Sequence, residues 1–407
     1  MKRLNFAFNK KICCFWAVLC GISFGLFAFD FGSVVTNGTS FESPNTSDYE
    51  LVQKNSVSAW LKTPLGKAGK GDFSANFVYN FEFDKENETY KNILDLNLFA
   101  FSYADETDNF SYNLKAGRFS FSDLTGNIFT QIADGVKFGF KNNVCSVNVY
   151  GSYTGLLNAL NTEMITTSLK NDNGLFTEDS STSFNADYDK VYDFANKYAV
   201  ADLCISFPNL FKNQGISLEG LGSFSLEGDT FNRMYATLSF EGPIYSSLFY
   251  NLSSTFGFIN FDDETNVSNL SKVKIEYFFK KVVVGINGLY ASGSQGFLKE
   301  FVGITKNTST YSSQSFLYSG LITGGANFAF RPDNSVLVFA SADSVFNAAS
   351  GDDNEDIEYF GFQYSLGTLW QVKSDFSVGF SLCQFIDKDN SEKLSKNSLT
   401  LNATLAF

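Results

Sequence analysis

GDFSANFVYNFEF, residues 71–83, places Phe73, Ala75, Phe77, Tyr79, Phe81 and Phe83 at every second position, with Ser74, Asn76, Asn80 and Glu82 between them. Side chains alternate across a strand, so this segment reads as a β-strand with one apolar and one polar face. The alternation returns in KNILDLNLFAF (91–101), where Leu94, Leu96, Leu98 and Ala100 oppose Asp95 and Asn97. In SKVKIEYFFK (271–280), Val273, Ile275, Tyr277 and Phe279 oppose Lys272, Lys274 and Glu276. It returns again in FSVGFSL (376–382) and in SLTLNATLAF (398–407). One such strand also suits a soluble sandwich. About seventeen of them, each roughly 9–14 residues long, predict an all-β, transmembrane, antiparallel up-and-down barrel.

The connections test this independently. Counted back from Phe407, they alternate between long and short. The long ones fall near 388–395, 347–355, 293–318, 259–269, 155–196, 122–133, 84–90 and 36–53, and are rich in Asp, Asn, Ser and Thr. The short ones fall near 372–374, 331–334, 280–281, 241–243, 208–213, 141–143, 104–109 and 64–70, and only the short 228–230 connection breaks the rule on its side. A transmembrane barrel keeps short turns at one rim and long loops at the other, whereas a sandwich has no reason to. With FDFGSVV (29–35) as the first strand, the count is about 18, with 16 as the alternative.

The N-terminal residues read as an export leader. Lys2, Arg3, Lys10 and Lys11 precede an apolar run from Ile12 to Phe27, and small Ala28 sits before Phe29-Asp30. That layout predicts a cleaved signal peptide over 1–28 and a barrel over 29–407. Losing the leader's four basic residues would take the formal charge from −13 to −17. So acidic a chain does not read as a nucleic-acid binder. Cys145, Cys204 and Cys383 would remain, too far apart and odd in number for a disulfide framework or metal cluster. The 47 Phe and 19 Tyr residues exceed what a soluble surface carries, and suit a wall facing lipid with aromatic girdles.

In the closing segment Leu399, Leu401, Ala403, Leu405 and terminal Phe407 share one face. Here the chain resembles the outer-membrane barrel family of double-membraned bacteria, whose members commonly end in an amphipathic strand with a final phenylalanine. The resemblance implies location in the outer membrane among its lipids, and Phe407 as the signal read by the barrel-assembly machinery. A narrower resemblance lies in AGRFSFSDLTGNIFTQIADGVKFGF (116–140). Gly117-Arg118 at a strand end, a polar loop and Asp134-Gly135 opening the next strand look like an element of porin-like barrels.

Size then bears on function. Barrels of about 8 strands are filled by their own side chains, and those of 16–18 leave an aqueous channel. The expected function is therefore passive diffusion of small polar solutes. The alternative is a surface display barrel, an adhesin binding host or matrix molecules through its long acidic loops. An enzyme is not expected, because barrel lipases, acyltransferases and proteases typically use a histidine base and this chain has none. No catalytic, cofactor or metal residues are predicted. Asp262-Asp263 and Asp352-Asp353 read as solvated loop charges, and DDNED (352–356) lacks calcium-loop spacing.

Parity puts Lys115, Lys137, Asp202, Glu219, Arg233, Lys274 and Glu276 in the lumen, where they avoid the roughly 2–4 kcal/mol cost of a charge on the lipid face at mid-membrane. Arg118 has ambiguous parity near the rim, where an outward arginine could snorkel to headgroups. In the longest connection, 155–196, Leu156, Leu157, Leu160, Met164 and Leu169 lie at roughly helical spacing, and this part is expected to fold into the mouth and narrow it. The sequence names no solute and leaves open whether copies assemble into a homo-oligomer.

Overall fold

The structure, a computed structural model, describes residues 29–45, 48–66, 70–84, 89–166, 190–227, 231–261, 264–293, 298–306, 316–348, 357–388 and 396–407. The expected leader 1–28, residues 167–189 with Leu169, and the Asp262-Asp263 and 352–356 acidic clusters lie outside the described residues.

Aromatic and β-branched residues in two-residue alternation form eighteen strands. The first nine are β1 (Asp30–Asn45), β2 (Asp48–Leu65), β3 (Gly71–Asp84), β4 (Thr89–Glu106), β5 (Phe110–Ser122), β6 (Thr130–Asn142), β7 (Ser146–Tyr153), β8 (Tyr198–Phe211) and β9 (Gln214–Ser225). The others are β10 (Asn232–Tyr245), β11 (Leu248–Phe261), β12 (Glu264–Phe278), β13 (Val282–Ala291), β14 (Leu321–Phe330), β15 (Val336–Asn347), β16 (Glu358–Lys373), β17 (Phe376–Asp387) and β18 (Lys396–Ala406).

Each strand pairs antiparallel with its neighbour in sequence, and β1 also pairs with β18, from Val34↔Ala406 to Ser43↔Asn397. Ser33 and Phe407 complete the closure: Ser33 N–H donates to the Phe407 carbonyl at 2.7 Å, and Phe407 N–H donates to the Ser33 carbonyl at 2.9 Å. Closure leaves neither terminal strand as an edge, the condition for a sheet in lipid.

The two faces differ in chemistry as the alternation predicts. Phe77, Leu94, Val136, Leu203, Met234 and Ile286 stand about half exposed on the outer face. Ser56, Ser58, Asn76, Asn80, Asn287 and Ser341 line cavities on the inner face. Such a ring of bare apolar side chains is unfavourable in water and suits hydrocarbon.

Two connections expected to be long are largely strand. β1 runs to Asn45 and β2 starts at Asp48, in place of a loop over 36–53; β11 runs to Phe261 and β12 starts at Glu264, in place of one over 259–269. Where a strand rises past the lipid both faces meet water, so the apolar alternation fades while the ladder continues. The turn expected at 241–243 lies instead at 246–247. Between β8 and β9 the two-residue connection has positive φ at both Lys212 and Asn213, the hairpin geometry that matches strand twist.

One neighbouring pair separates part-way up. β4 and β5 ladder only from Glu106↔Ser111 to Phe99↔Arg118. The ladder stops beside Gly117, at φ +121°, where a Cβ would stand 2.1 Å from the Phe99 carbonyl oxygen; only glycine fits. Beyond it the β4 backbone finds other partners. Leu94 N–H donates to the Val191 carbonyl at 3.1 Å, and Asn158 Nδ2 donates to the carbonyls of Leu94 at 3.3 Å and Val191 at 3.1 Å. Loop residues thus satisfy both backbone groups of Leu94, which the parted ladder leaves.

The apolar core lies inside the barrel. Phe119, Phe121, Ile128, Phe129, Tyr150, Met164, Phe301 and Ile304 form one buried cluster, in which the Phe121 and Tyr150 rings stack at 3.8 Å. Eighteen strands enclose more space than their own side chains fill. Here the connections fold inward and supply the rest, each large buried side chain contributing roughly 1.5–3 kcal/mol.

Candidate functional site

Three connections from the long-loop rim meet inside the lumen. The first, 123–129, is a closed loop organised by Asp123. Its Oδ1 accepts from the N–H groups of Ile128 at 2.9 Å and Phe129 at 2.8 Å, and its Oδ2 from Thr125 N–H at 2.9 Å and Thr125 Oγ1 at 2.7 Å. This loop reaches the opposite wall. Leu124 N–H donates to Glu219 Oε1 on β9 at 2.6 Å, and Lys272 Nζ on β12 donates to Asn127 Oδ1 at 2.5 Å.

The second connection supplies residues 154–166. Asn158 caps a single 3-10 turn, Ala159–Asn161. Asn161 Nδ2 then holds Asp95 Oδ2 at 2.8 Å, Glu163 N–H donates to Gln131 Oε1 at 2.8 Å, and Met164 bridges to Thr305. Leu157 and Met164 are buried as expected of an inward segment, while Leu156 is about half exposed. The helical spacing expected there is corrected to one tight turn and an extended stretch. Backbone pairing with the third connection replaces helical hydrogen bonds: Ile165 N–H donates to the Ile304 carbonyl at 2.9 Å, and Lys306 N–H to the Glu163 carbonyl at 2.8 Å.

The third connection, 298–306 and 316–320, packs on both others and on the wall. Ile304 and Thr305 N–H both donate to the Ile128 carbonyl, at 2.8 and 3.0 Å. Arg233 Nη1 donates to the Gly303 carbonyl at 2.7 Å, and the Tyr235 hydroxyl donates to the Val302 carbonyl. Phe316 meets Phe360 and Phe385 edge-on. Burial alone pushes the Glu300 carboxyl in this loop up to about 7.

Open space remains beside this inward mass. A cavity of about 530 Å³ lies between Leu124, Thr125, Asn127 and Tyr318 on the loops and Lys272, Lys274, Asn287, Asp343 and Gln363 on the wall. A second region of about 580 Å³ lies against β2–β4, lined by Ser56, Ser58, Asn76, Asn80 and Lys115. Near the short-turn rim, Lys212, Glu241, Tyr250, Lys274 and Glu276 surround a vestibule of about 1170 Å³. These walls carry hydroxyls, amides and a few charges, chemistry that keeps water in a lumen and offers hydrogen bonds to a polar solute.

The seven predicted lumen residues fall into three settings. Lys115 lines the β2–β4 side with its ammonium 4.9 Å from the Phe119 ring centroid, and Lys137 lies 5.5 Å from that of Phe121. Lys274 and Glu276 are ion-paired at 2.9 Å at the vestibule. Asp202, Glu219 and Arg233 are buried beneath the inward loops rather than facing an open passage. Arg118 is the clear correction. It is only 6% exposed, and it holds Asp134 through two hydrogen bonds, the Leu156 carbonyl at 2.6 Å and Asp95 at 3.8 Å. An arginine with this many acceptors has no reason to reach for headgroups.

Sequence reading omitted Lys272, Asp343 and Asn127 from the candidates. The alternation that places Lys274 and Glu276 inward does the same for Lys272. Nothing local shows that Asn127, 145 residues away, will meet it.

Closed wall, polar lumen and inward loops define the class: an eighteen-stranded barrel of the outer-membrane kind with a narrowed interior. No protein-family model matches the chain, and no curated protein matches it in sequence. Solved structures do match in shape. Outer-membrane protein OpdK of Pseudomonas aeruginosa superposes with a TM-score of 0.57 at 7% identity, over 93% of this chain and 99% of that one. OpdQ of the same organism gives 0.60 at 8% identity, over 93% and 97%. OccK2 (OpdF), solved in complex with glucuronate, gives 0.57 at 9% identity, over 93% and 96%. The chain therefore has the fold of these outer-membrane barrels.

Proposed function

We propose that the protein is an outer-membrane channel through which small polar solutes diffuse passively, with no chemical step. The observation that carries this reading is the space of about 530 Å³, lined by polar and apolar side chains, left between the inward loops and the wall from Lys272 to Gln363. A lumen closed by its own core would leave no such space, and a display barrel would keep its loops outside. Here three connections are committed to the interior. The fold shared with OccK2, whose structure holds glucuronate, makes a sugar acid a reasonable first probe, and Lys272 and Lys274 on the wall suit one electrostatically.

In this reading residues 1–28 direct export and are removed, outer-membrane lipids surround the apolar band, and the barrel-assembly machinery inserts the chain. Purified protein reconstituted in planar bilayers should show discrete, ohmic single-channel steps, and liposomes carrying it should swell in small sugars and sugar acids. Tight, non-conducting liposomes with fully folded protein would overturn the channel reading.

A further inference from the structure

We propose that the upper part of the β5–β6 hairpin is a septum dividing the lumen, and that the space on its β2–β4 side is a second solute path, one for neutral polyhydroxylated molecules such as sugars. This rests on the channel reading and adds a site to it.

Past Gly117 the hairpin leaves β4 but stays paired with itself. The β4–β5 ladder ends at Phe99↔Arg118, whereas β5 and β6 remain in register up to Ser122↔Thr130. Val191 and Asn158 bond the Leu94 backbone in its place. Along this free part, Phe119, Phe121 and Ala133 lie on one face and are buried in the core cluster. Ser120, Ser122 and Thr130 lie on the other face and are exposed, with the Ser122 and Thr130 hydroxyls 2.9 Å apart.

By parity that second face continues the one carrying Leu114, an exposed apolar residue of the outer wall. A face turned to lipid would stay apolar, and this one becomes hydroxylic. Its surroundings give the reason. Ser120 and Ile132, paired across the hairpin, line the same region of about 580 Å³ as Ser56 and Ser58 of β2 and Asn76 and Asn80 of β3. A face with outward parity thus looks across at the inner wall, which requires this part of the hairpin to stand inside the barrel.

The two sides of the septum differ in charge. Lys115 is the one charged side chain among the described residues lining the β2–β4 space. Lys272, Lys274 and Asp343 line the space of about 530 Å³, and the two spaces share no lining residue. From Asn76 to Asn80 the β2–β4 space follows β3 for four residues, roughly 13 Å along the strand. Serine hydroxyls and asparagine amides both donate and accept, so they can replace water around a sugar hydroxyl in either sense. Val78, Leu98 and Ile132 among them suit the C–H faces of a sugar ring. With so few charges, this side has little field to favour an ion.

Obstacles placed after folding test this without disturbing assembly. Ser58→Cys and Ser120→Cys, from the two sides of the space, are modified in the folded full chain with a bulky uncharged maleimide. Cys204 and Cys383 are buried and Cys145 partly so, and the parent treated alike is the control. Each blocked variant should lose at least about threefold in glucose uptake by liposome swelling, with glucuronate uptake near the parent's. Lys272→Glu should do the reverse, cutting glucuronate uptake and sparing glucose. Failure of either cysteine to label, unchanged glucose uptake after labelling, or equal losses of both solutes overturns the second path while leaving the channel. Parent liposomes that take up neither solute overturn the channel reading itself, and this path with it.

Discussion

Arg118 and Asp134 form a two-pronged ion pair, Nε to Oδ1 at 2.9 Å and Nη2 to Oδ2 at 2.7 Å, at the point where β4 and β5 part. The pair is directly across the β5–β6 ladder, one step from Gly117↔Gly135. At Gly135 a Cβ would stand 2.4 Å from the Gly151 carbonyl oxygen, so the short motif around 116–140 is a packing device. Its glycines let backbones approach, and its charges fasten the separated wall to the 154–166 loop.

Arg118→Ala should therefore destabilise the barrel by about 3–5 kcal/mol, the range for breaking a buried pair. Lys in its place should recover only part, since an ammonium cannot engage both carboxylate oxygens and the Leu156 carbonyl in one plane. The midpoint of the heat-induced shift in gel migration is the measurement. An unchanged midpoint in the alanine variant would show that the wall holds without this clamp.

Lys272→Glu should raise cation preference in reversal-potential measurements. The residue stands where the loop meets the wall, 2.5 Å from Asn127 Oδ1, and lines the proposed passage. The change should be largest at low salt and fade as the screening length falls to about 10 Å near 0.1 M. Selectivity that ignores the substitution would place the conducting path elsewhere in the lumen.

Glu300 gives a pH dependence of known sign. Burial raises its carboxyl to about 7, so the folded loop prefers the protonated form. The stability this contributes is complete below its ordinary range near 4.5, and is lost as pH rises from there through about 7. Unfolding midpoints should fall over that window in the wild type and stay level in Glu300→Gln. A wild-type slope of the opposite sign would mean the carboxylate finds a donor in the fold.

Phe407→Asp should impair assembly more than stability. The backbone hydrogen bonds of Phe407 to Ser33 do not involve its side chain, which is 69% exposed at the short-turn rim. There a charge costs only about 0–1 kcal/mol, against about 2–4 at mid-membrane. Surface levels should drop several-fold in cells while the variant, refolded in detergent, keeps a near-normal midpoint. Normal surface levels would show that this residue carries no assembly signal.

The wall was legible because a strand in lipid must show one chemistry outward and another inward, a period of two that survives in sequence. Phe73 to Phe83 and Leu399 to Phe407 display it without help from any other strand. The strand count followed from connection lengths. Where β1 and β2 rise past the lipid, residues 36–53 are mostly polar and lose the strict alternation, and the same rule took strand for loop.

The inner faces of single strands were equally legible, because side-chain parity is a local property. Their surroundings were not. Asp202 and Glu219 read as channel lining, and burial beneath loop 123–129 makes them part of a core.

Sequence alone thus determined a closed, lipid-facing wall of about eighteen strands, with sixteen left as the alternative, because alternation and turn lengths are local properties that solvent imposes strand by strand. Only the tertiary structure decided how the lumen is filled and what passage is left. The contacts that do this, Leu124 with Glu219, Asn127 with Lys272 and Met164 with Thr305, join residues 95 to 145 positions apart. Such contacts form only when ring closure brings distant strands face to face, and no periodicity in the chain records them.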